Sequence, residues 1–266
     1  MADIKGLRSS IRSVDSMLHL TSAMGLVASS KMYRAGQAME NARDFADTLR
    51  QMTAQLTACP ECRNHPFIRP REGSRTRLIV IAGDRGLCGG YNNNVFRLTA
   101  SYPDAELIPI GKRAADRFGG DFIGCENFSS RDGSEMADAL IRDYLDHQYD
   151  RLGIIGTRYV SLITQEAAVE WLLPLERSQE TVTGGIVFEP DAEQVLFRAV
   201  REYVFGMLMA AVRESFACET AARRMAMDNA GRNARQMLDD LRLAYNRARQ
   251  SAITQEITEI VAGSGS

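Results

Sequence analysis

All seven prolines of this chain fall between Pro60 and Pro190, so its first 59 residues and its last 76 contain none. A proline inside a helix removes a hydrogen bond and drives its ring against the preceding turn, at a cost of about 3 kcal/mol. Proline-free ends of this length permit one uninterrupted helix each, and both carry the apolar spacing that long helices need. From Ile4, Leu7, Ile11, Val14 and Leu18 onward to Leu49, Thr53 and Leu56, apolar or small residues follow alternating steps of three and four. That is a coiled-coil seam, about 80 Å long at 1.5 Å per residue. Its middle, from Thr21 to Ala28, is built of small residues that let a partner backbone approach closely.

The second helix is expected over residues 192–261, roughly 100 Å if continuous. Pro190-Asp191 ends what precedes it and supplies an N-cap. Residues 203–212 are apolar on every side, which in such a helix means burial on several faces. Leu238, Leu241, Tyr245, Ala248 and Ala252 then restore a single seam. Being the longer of the two, this helix should leave one end alone. The candidate is the stretch with Ile253, Ile257, Ile260 and Val261, ahead of the fraying Gly-Ser-Gly-Ser.

Between the helices, short apolar runs at 77–82 (RLIVIA), 106–110, 121–125 and 152–156 alternate with helical patterns at 93–100, 112–118 and 134–149. Alternation of this kind predicts an α/β sheet with helical crossovers. Residues 159–188 read as edge strands around a helix or turn. The organisation is therefore a helix at 1–58, a linker loop at 59–75, a central α/β domain at 76–190, a helix at 191–262 and a flexible tail at 263–266.

A net charge of -2 gives no basic footprint for nucleic acid. The longest apolar run is about half of what a membrane span requires, and the N-terminus has no apolar signal core. The expectation is a cytoplasmic protein that meets a membrane only through partners. Five cysteines suggest reduced thiols. Cys59 and Cys62, with His65 nearby, have the spacing of half a zinc knuckle or of a redox pair, and Cys88 or Cys125 could complete a tetrahedral site. With no second CxxC, ordinary loop thiols are the simpler reading. The histidines, His19, His65 and His147, are too scattered to suggest a triad, and no other catalytic constellation can be assembled.

The run RLIVIA leads into Gly83-Asp84-Arg85-Gly86-Leu87-Cys88-Gly89-Gly90 and then a helix. A glycine-rich turn at a strand's carboxyl end is where α/β proteins hold phosphates. The phosphate fingerprints are absent, since there is no GxGxxG and no GK[ST], and Asp104 and Glu106 stand at the start of the next strand rather than its end. A tight turn that closes strand against helix is favoured, with Asp84 and Arg85 facing a protein neighbour or each other.

This DRGLCGGYN string, together with IRSV and LTSAMGLVASSKMYRA in the first helix and AARRMAMDNAGRN and YNRARQSAITQEITEIVAG in the last, resembles the gamma subunit family of F-type ATP synthases over essentially the full length. The resemblance implies a Rossmann-like α/β domain flanked by an antiparallel coiled coil, and a non-catalytic rotor shaft within a ring of three alpha and three beta subunits. Its foot would lie near the epsilon subunit and the c-ring, at the cytoplasmic face of a bacterial-type plasma membrane, whether protons or sodium ions drive the complex. Nucleotide and magnesium are expected on the alpha and beta partners, and no cofactor on this chain. Carried over by motif, Met24, Arg223, Arg249, Gln250, Thr254 and Glu256 are the subunit-contact positions; Arg249 offers a planar fork for carboxylates. Basic residues usual in the family after IRSV are replaced by Asp15, Ser16, His19 and Ser22. A nucleotide-binding enzyme working from loop 83–90, and a static coiled-coil adaptor, are the alternatives of other classes.

Overall fold

The structure, a computed structural model, describes residues 4–71, 73–178 and 188–263. In chain order the elements are α1 (Ile4–Ala58), β1 (Thr76–Ile81), α2 (Tyr91–Thr99), β2 (Glu106–Ile110), α3 (Lys112–Phe118), α4 (Ser130–Leu145), β3 (Arg151–Tyr159), β4 (Gln165–Leu173) and α5 (Ala192–Gly263), with a short 3-10 turn at Pro60–Cys62. Every seam position of α1 named above is buried or half-buried, as the three-four spacing requires. Asp191 caps α5, its carboxylate accepting the Gln194 N–H at 2.8 Å.

The chain falls into two compact units, residues 30–222 and residues 1–29 with 223–266. These do not coincide with the boundaries drawn from the sequence, which keep each helix apart from the α/β domain. The reason lies in the packing of the larger unit. Ala46, Leu49 and Leu56 of α1 and Leu196, Val200, Val204 and Leu208 of α5 belong to one core with Ile79, Ile81, Leu152 and Ile154 of the sheet. Residues 203–212 of α5 are all buried or half-buried, in keeping with their apolar character all round.

Among the described residues the sheet of the larger unit has the order β2-β1-β3-β4, with β1 parallel to both neighbours and β4 antiparallel to β3. Side chains of β1 alternate as a doubly covered strand should. Leu78 and Val80, with Ala82 just beyond, face α2 and α3, packing with Val95 and Ala114. Ile79 and Ile81 face α4 and the long helices, where Ala137, Leu140, Ile141 and Tyr144 close the layer. The chain passes from β1 through α2 to β2 on one side, then from β2 through α3 and α4 to β3 on the other side of β1. The carboxyl end of β1 is thus the point where the strand order reverses.

One strand expectation needs correction. Residues 121–125 form no strand, because their polar groups are spent elsewhere: the Asp84 carboxylate accepts the N–H groups of Cys125 and Glu126, and the Ile123 carbonyl accepts from Gly111. Of the helix or turn read between the strands at 159–188, the structure has the turn, a short one between β3 and β4 closed by Thr164 and Ser161. Residues 179–187, which the edge-strand reading also covered, lie outside the described residues. The helix expected at 134–149 begins earlier, at Ser130, because Ser129 and Asp132 form a reciprocal capping box.

In the smaller unit, segments of α1 and α5 pair antiparallel. Gly25 faces Met227, Leu18 and Thr21 face Gly231, and Val14 packs with Ala234 and Leu238, so residue numbers rise on one helix as they fall on the other. Small residues at this seam hold the backbones close, as the run from Thr21 to Ala28 implied. Residues 249–263 of α5 are exposed except for half-buried Ala252.

Candidate functional site

The glycine-rich loop is built as a rigid corner. Asn92, in the first turn of α2, accepts the Gly83 N–H at 2.8 Å, and the Gly83 carbonyl accepts from Arg113 N–H at 3.0 Å. Asp84 turns its carboxylate inward and accepts the N–H groups of Lys112 at 3.2 Å, Cys125 at 3.1 Å and Glu126 at 3.1 Å. Leu87 and Gly89 both take a positive φ, which the glycine accepts freely and the leucine does not. Gly90 then precedes the first residue of α2, and Gly86 packs near the Arg113 side chain.

Asp84 and Arg85 do not pair with each other. Arg85 is exposed and lies 4.0 Å from Glu126, a carboxylate that Lys31 of α1 also contacts. The loop's inner side is taken by α5. Glu219, only 2% exposed, accepts the N–H of Asp84 at 3.4 Å and of Arg85 at 3.3 Å. One helical turn earlier, the Ser215 carbonyl accepts from the Tyr91 hydroxyl at 2.9 Å, and its Oγ accepts the Thr157 N–H at 3.4 Å. Glu214 accepts the Tyr159 N–H at 2.8 Å and pairs with Arg43 at 2.7 Å. The crevice at which open α/β sheets bind ligands is therefore filled by a helix of the same chain, with a carboxylate where an anion would sit. A tight structural turn is what the missing phosphate fingerprint indicated. Glu219 itself was not legible in advance; the available signal was one acid set among Ala217, Cys218, Thr220 and Ala221.

The cysteine set is not brought together as a metal centre: among the described residues no group of three or more His, Cys, Asp or Glu is placed to hold a metal ion. Cys59 and Cys62 are instead part of the main core beside Phe67 and Ile68, with the Cys59 thiol donating to the Gln55 carbonyl. Burial pushes both thiols up, which leaves little thiolate for oxidation or metal binding. Cys125 donates to the Ala82 carbonyl at 3.2 Å, while Cys88 packs against Tyr91 and Cys218. The linker at 59–75 is thus core-forming in part. Burial also holds the nearby His65 below its ordinary value.

Of the contact positions, Met24 and Arg223 are half-buried in the smaller unit, and Arg249, Gln250, Thr254 and Glu256 are exposed on its outlying helix. The Thr254 hydroxyl donates to the Gln250 carbonyl at 2.9 Å, so toward a partner it offers its methyl group and an acceptor oxygen. Ile253, Ile257, Ile260 and Val261 form one stripe at 43 to 70% exposure. An exposed apolar stripe along a helix suits docking to a further surface.

Residues 3–266 match the family model described as ATP synthase. Among solved structures, a chain from the central stalk and c-ring of the Tetrahymena thermophila mitochondrial ATP synthase is 23% identical, with a TM-score of 0.64 and coverage of 79% of this chain and 99% of that one. A chain of the Euglena gracilis mitochondrial ATP synthase rotor is 17% identical, also with a TM-score of 0.64, and covers 94% of this chain and 98% of its own. At these identities the structural likeness speaks for the fold.

Proposed function

The chain belongs to the gamma-subunit family of F-type ATP synthases, and on that premise we propose that it is the central rotor shaft of the F1 sector. It couples ion flow through a membrane c-ring to the conformational cycle of catalytic beta subunits, in synthesis or hydrolysis of ATP. The observation that carries this reading is the family match over residues 3–266. A shaft turns an asymmetric surface past three identical sites, so its task is shape and contact rather than chemistry.

Its partners in this reading are three alpha and three beta subunits, an epsilon subunit and the c-ring. The chain itself is not the catalyst, and nucleotide with magnesium sits on the alpha and beta subunits. Occupation of the strand-end crevice by Glu219 supports this, because the N–H groups of Asp84 and Arg85 that would receive a phosphate are turned to a carboxylate of the chain itself. The chain is a peripheral member of a membrane-bound complex; among its described residues no helix is long and apolar enough to cross a bilayer. The setting we favour is the cytoplasmic face of a bacterial-type plasma membrane. Met24, Arg223, Arg249, Gln250, Thr254 and Glu256 are the contacts to the ring, and the exposed stripe from Ile253 to Val261 is where α5 is received by it.

Reconstitution tests the proposal. The purified chain should hydrolyse no ATP, and its addition to matching alpha and beta subunits should raise their cooperative turnover. Replacing Arg249 and Gln250 together with alanine keeps helix propensity and should leave the chain folded. Each charge-assisted hydrogen bond lost to the ring is worth about 1.5 to 3 kcal/mol, so coupled turnover should fall by roughly tenfold or more. Unchanged ATP-driven rotation in this variant would remove these side chains from the contact.

A further inference from the structure

We propose that Glu219 is a positioning residue for coupled turnover: its carboxylate fills an anion-receiving corner at the carboxyl end of β1 and so fastens α5 to the sheet, where load passes between them. The proposal rests on the rotor reading above and adds to it a site of force transmission. In an open α/β sheet, the backbone N–H groups just past the first strand are the ones that receive a ligand's phosphate. Here the N–H groups of Asp84 and Arg85 are turned to the Glu219 carboxylate. Bonds that do not involve α5 also hold the corner, since Gly83 is fixed at both its polar groups by Asn92 and Arg113.

Gly83 makes the approach possible. A Cβ built there would stand 2.7 Å from the Glu219 carboxyl carbon and 3.0 Å from its Cγ, closer than side chains pack. The contact joins elements that are distant in sequence and that an applied torque would shear apart. Apolar packing resists separation but is non-directional, whereas hydrogen bonds weaken steeply when misaligned. The Glu219 corner, with the Ser215 and Glu214 bonds one turn away, is therefore suited to resist sliding of α5 along the sheet.

The assembled complex, reconstituted in lipid vesicles, provides the test, with ATP hydrolysis and the membrane potential built by ATP-driven ion pumping measured together. Glu219→Gln turns one acceptor into a donor that faces an N–H. Gly83→Ala keeps the carboxylate but displaces it. Both variants should hydrolyse ATP at the wild-type rate without load, yet slip under load, with ions pumped per ATP lowered roughly threefold to tenfold as charge-assisted bonds are lost. A purely structural defect would lower hydrolysis and pumping together and leave their ratio unchanged.

A cysteine pair decides the matter even where those variants fail to fold. In a background lacking Cys88, Cys125 and Cys218, Gly83→Cys with Glu219→Cys places one sulfur near the present Glu219 Cγ, within disulfide reach of the new Cβ. Oxidised, the pair should restore the pumping ratio; reduced, it should slip. Wild-type ratios in both single variants, or a pair indifferent to its redox state, would overturn the proposal while leaving the rotor reading intact. Failure of the wild-type chain to support pumping at all would instead defeat the rotor reading.

Discussion

The Asp84 carboxylate accepts three backbone N–H groups, one from the first residue of α3 and two from the loop before α4. Donors left without an acceptor in a part-buried corner are costly, so Asp84→Ala should destabilise the chain by about 2 to 4 kcal/mol. Asp84→Asn should cost less, since Oδ1 keeps two of the three bonds and only the Glu126 N–H faces an amide nitrogen. Urea unfolding of the two variants would measure the order, and equal losses would contradict this account. Asp150 is a second such case. Its buried carboxylate accepts Nε, Nη2 and the backbone N–H of Arg75, and these bonds hold it below the usual carboxylate range. Because its folded value is depressed, the stability it adds is fully present above the unfolded value near 3.9 and is lost as pH falls through the lower folded value. Discounted for the exposure of Arg75, the Asp150→Asn penalty should be about 1 to 2 kcal/mol at neutral pH. The gap between variant and wild type should close on acidification, and a gap independent of pH would refute the assignment.

Among the elements, α1 and α5 depend on close approach at small residues. Gly206 is the tightest of these points, since a Cβ there would stand 2.2 Å from Leu49 Cδ1 and 3.2 Å from the Phe45 ring. Gly206→Ala would ordinarily favour a helix by about 1 kcal/mol. Overpacking of a full core costs about 1 to 3 kcal/mol, so the net effect should be a lowered denaturation midpoint, with Leu49→Ala recovering part of the loss in the double variant. Independent, additive losses would mean that the two sites do not share the strain. The failed strand at 121–125 is the opposite case of an element that composition favours and tertiary bonding denies. Its apolar run is real, but Asp84 captures the N–H groups of Cys125 and Glu126 that a ladder would need.

Across the whole molecule, protection should follow burial within each unit. Amides of β1 and β3, which carry the fully buried side chains of Leu78 to Ile81 and Leu152 to Ile155, should exchange slowest with deuterium. Residues 249–263, helical and exposed apart from half-buried Ala252, should exchange fastest, because their opening costs little core. Equal protection in both would show a partner on α5 that this chain does not itself supply. Much of this architecture was legible in the residues. Proline placement and three-four spacing locate both long helices to within a residue or two, since helix periodicity is a local property of the chain. Three of the four strand runs, those of β1, β2 and β3, and the DRGLCGGYN corner were legible for the same reason. What the sequence could not decide is which groups share a core and which donors meet which acceptors. Cys59 and Cys62 look like a pair awaiting chemistry until burial beside Phe67 shows them as packing. Glu219 looks like any helix acid, and only the register of α5 against a strand end 135 residues away turns its carboxylate into the occupant of that corner. Periodicity is written in neighbouring residues, whereas a long-range partner is selected by the free energy of the assembled fold.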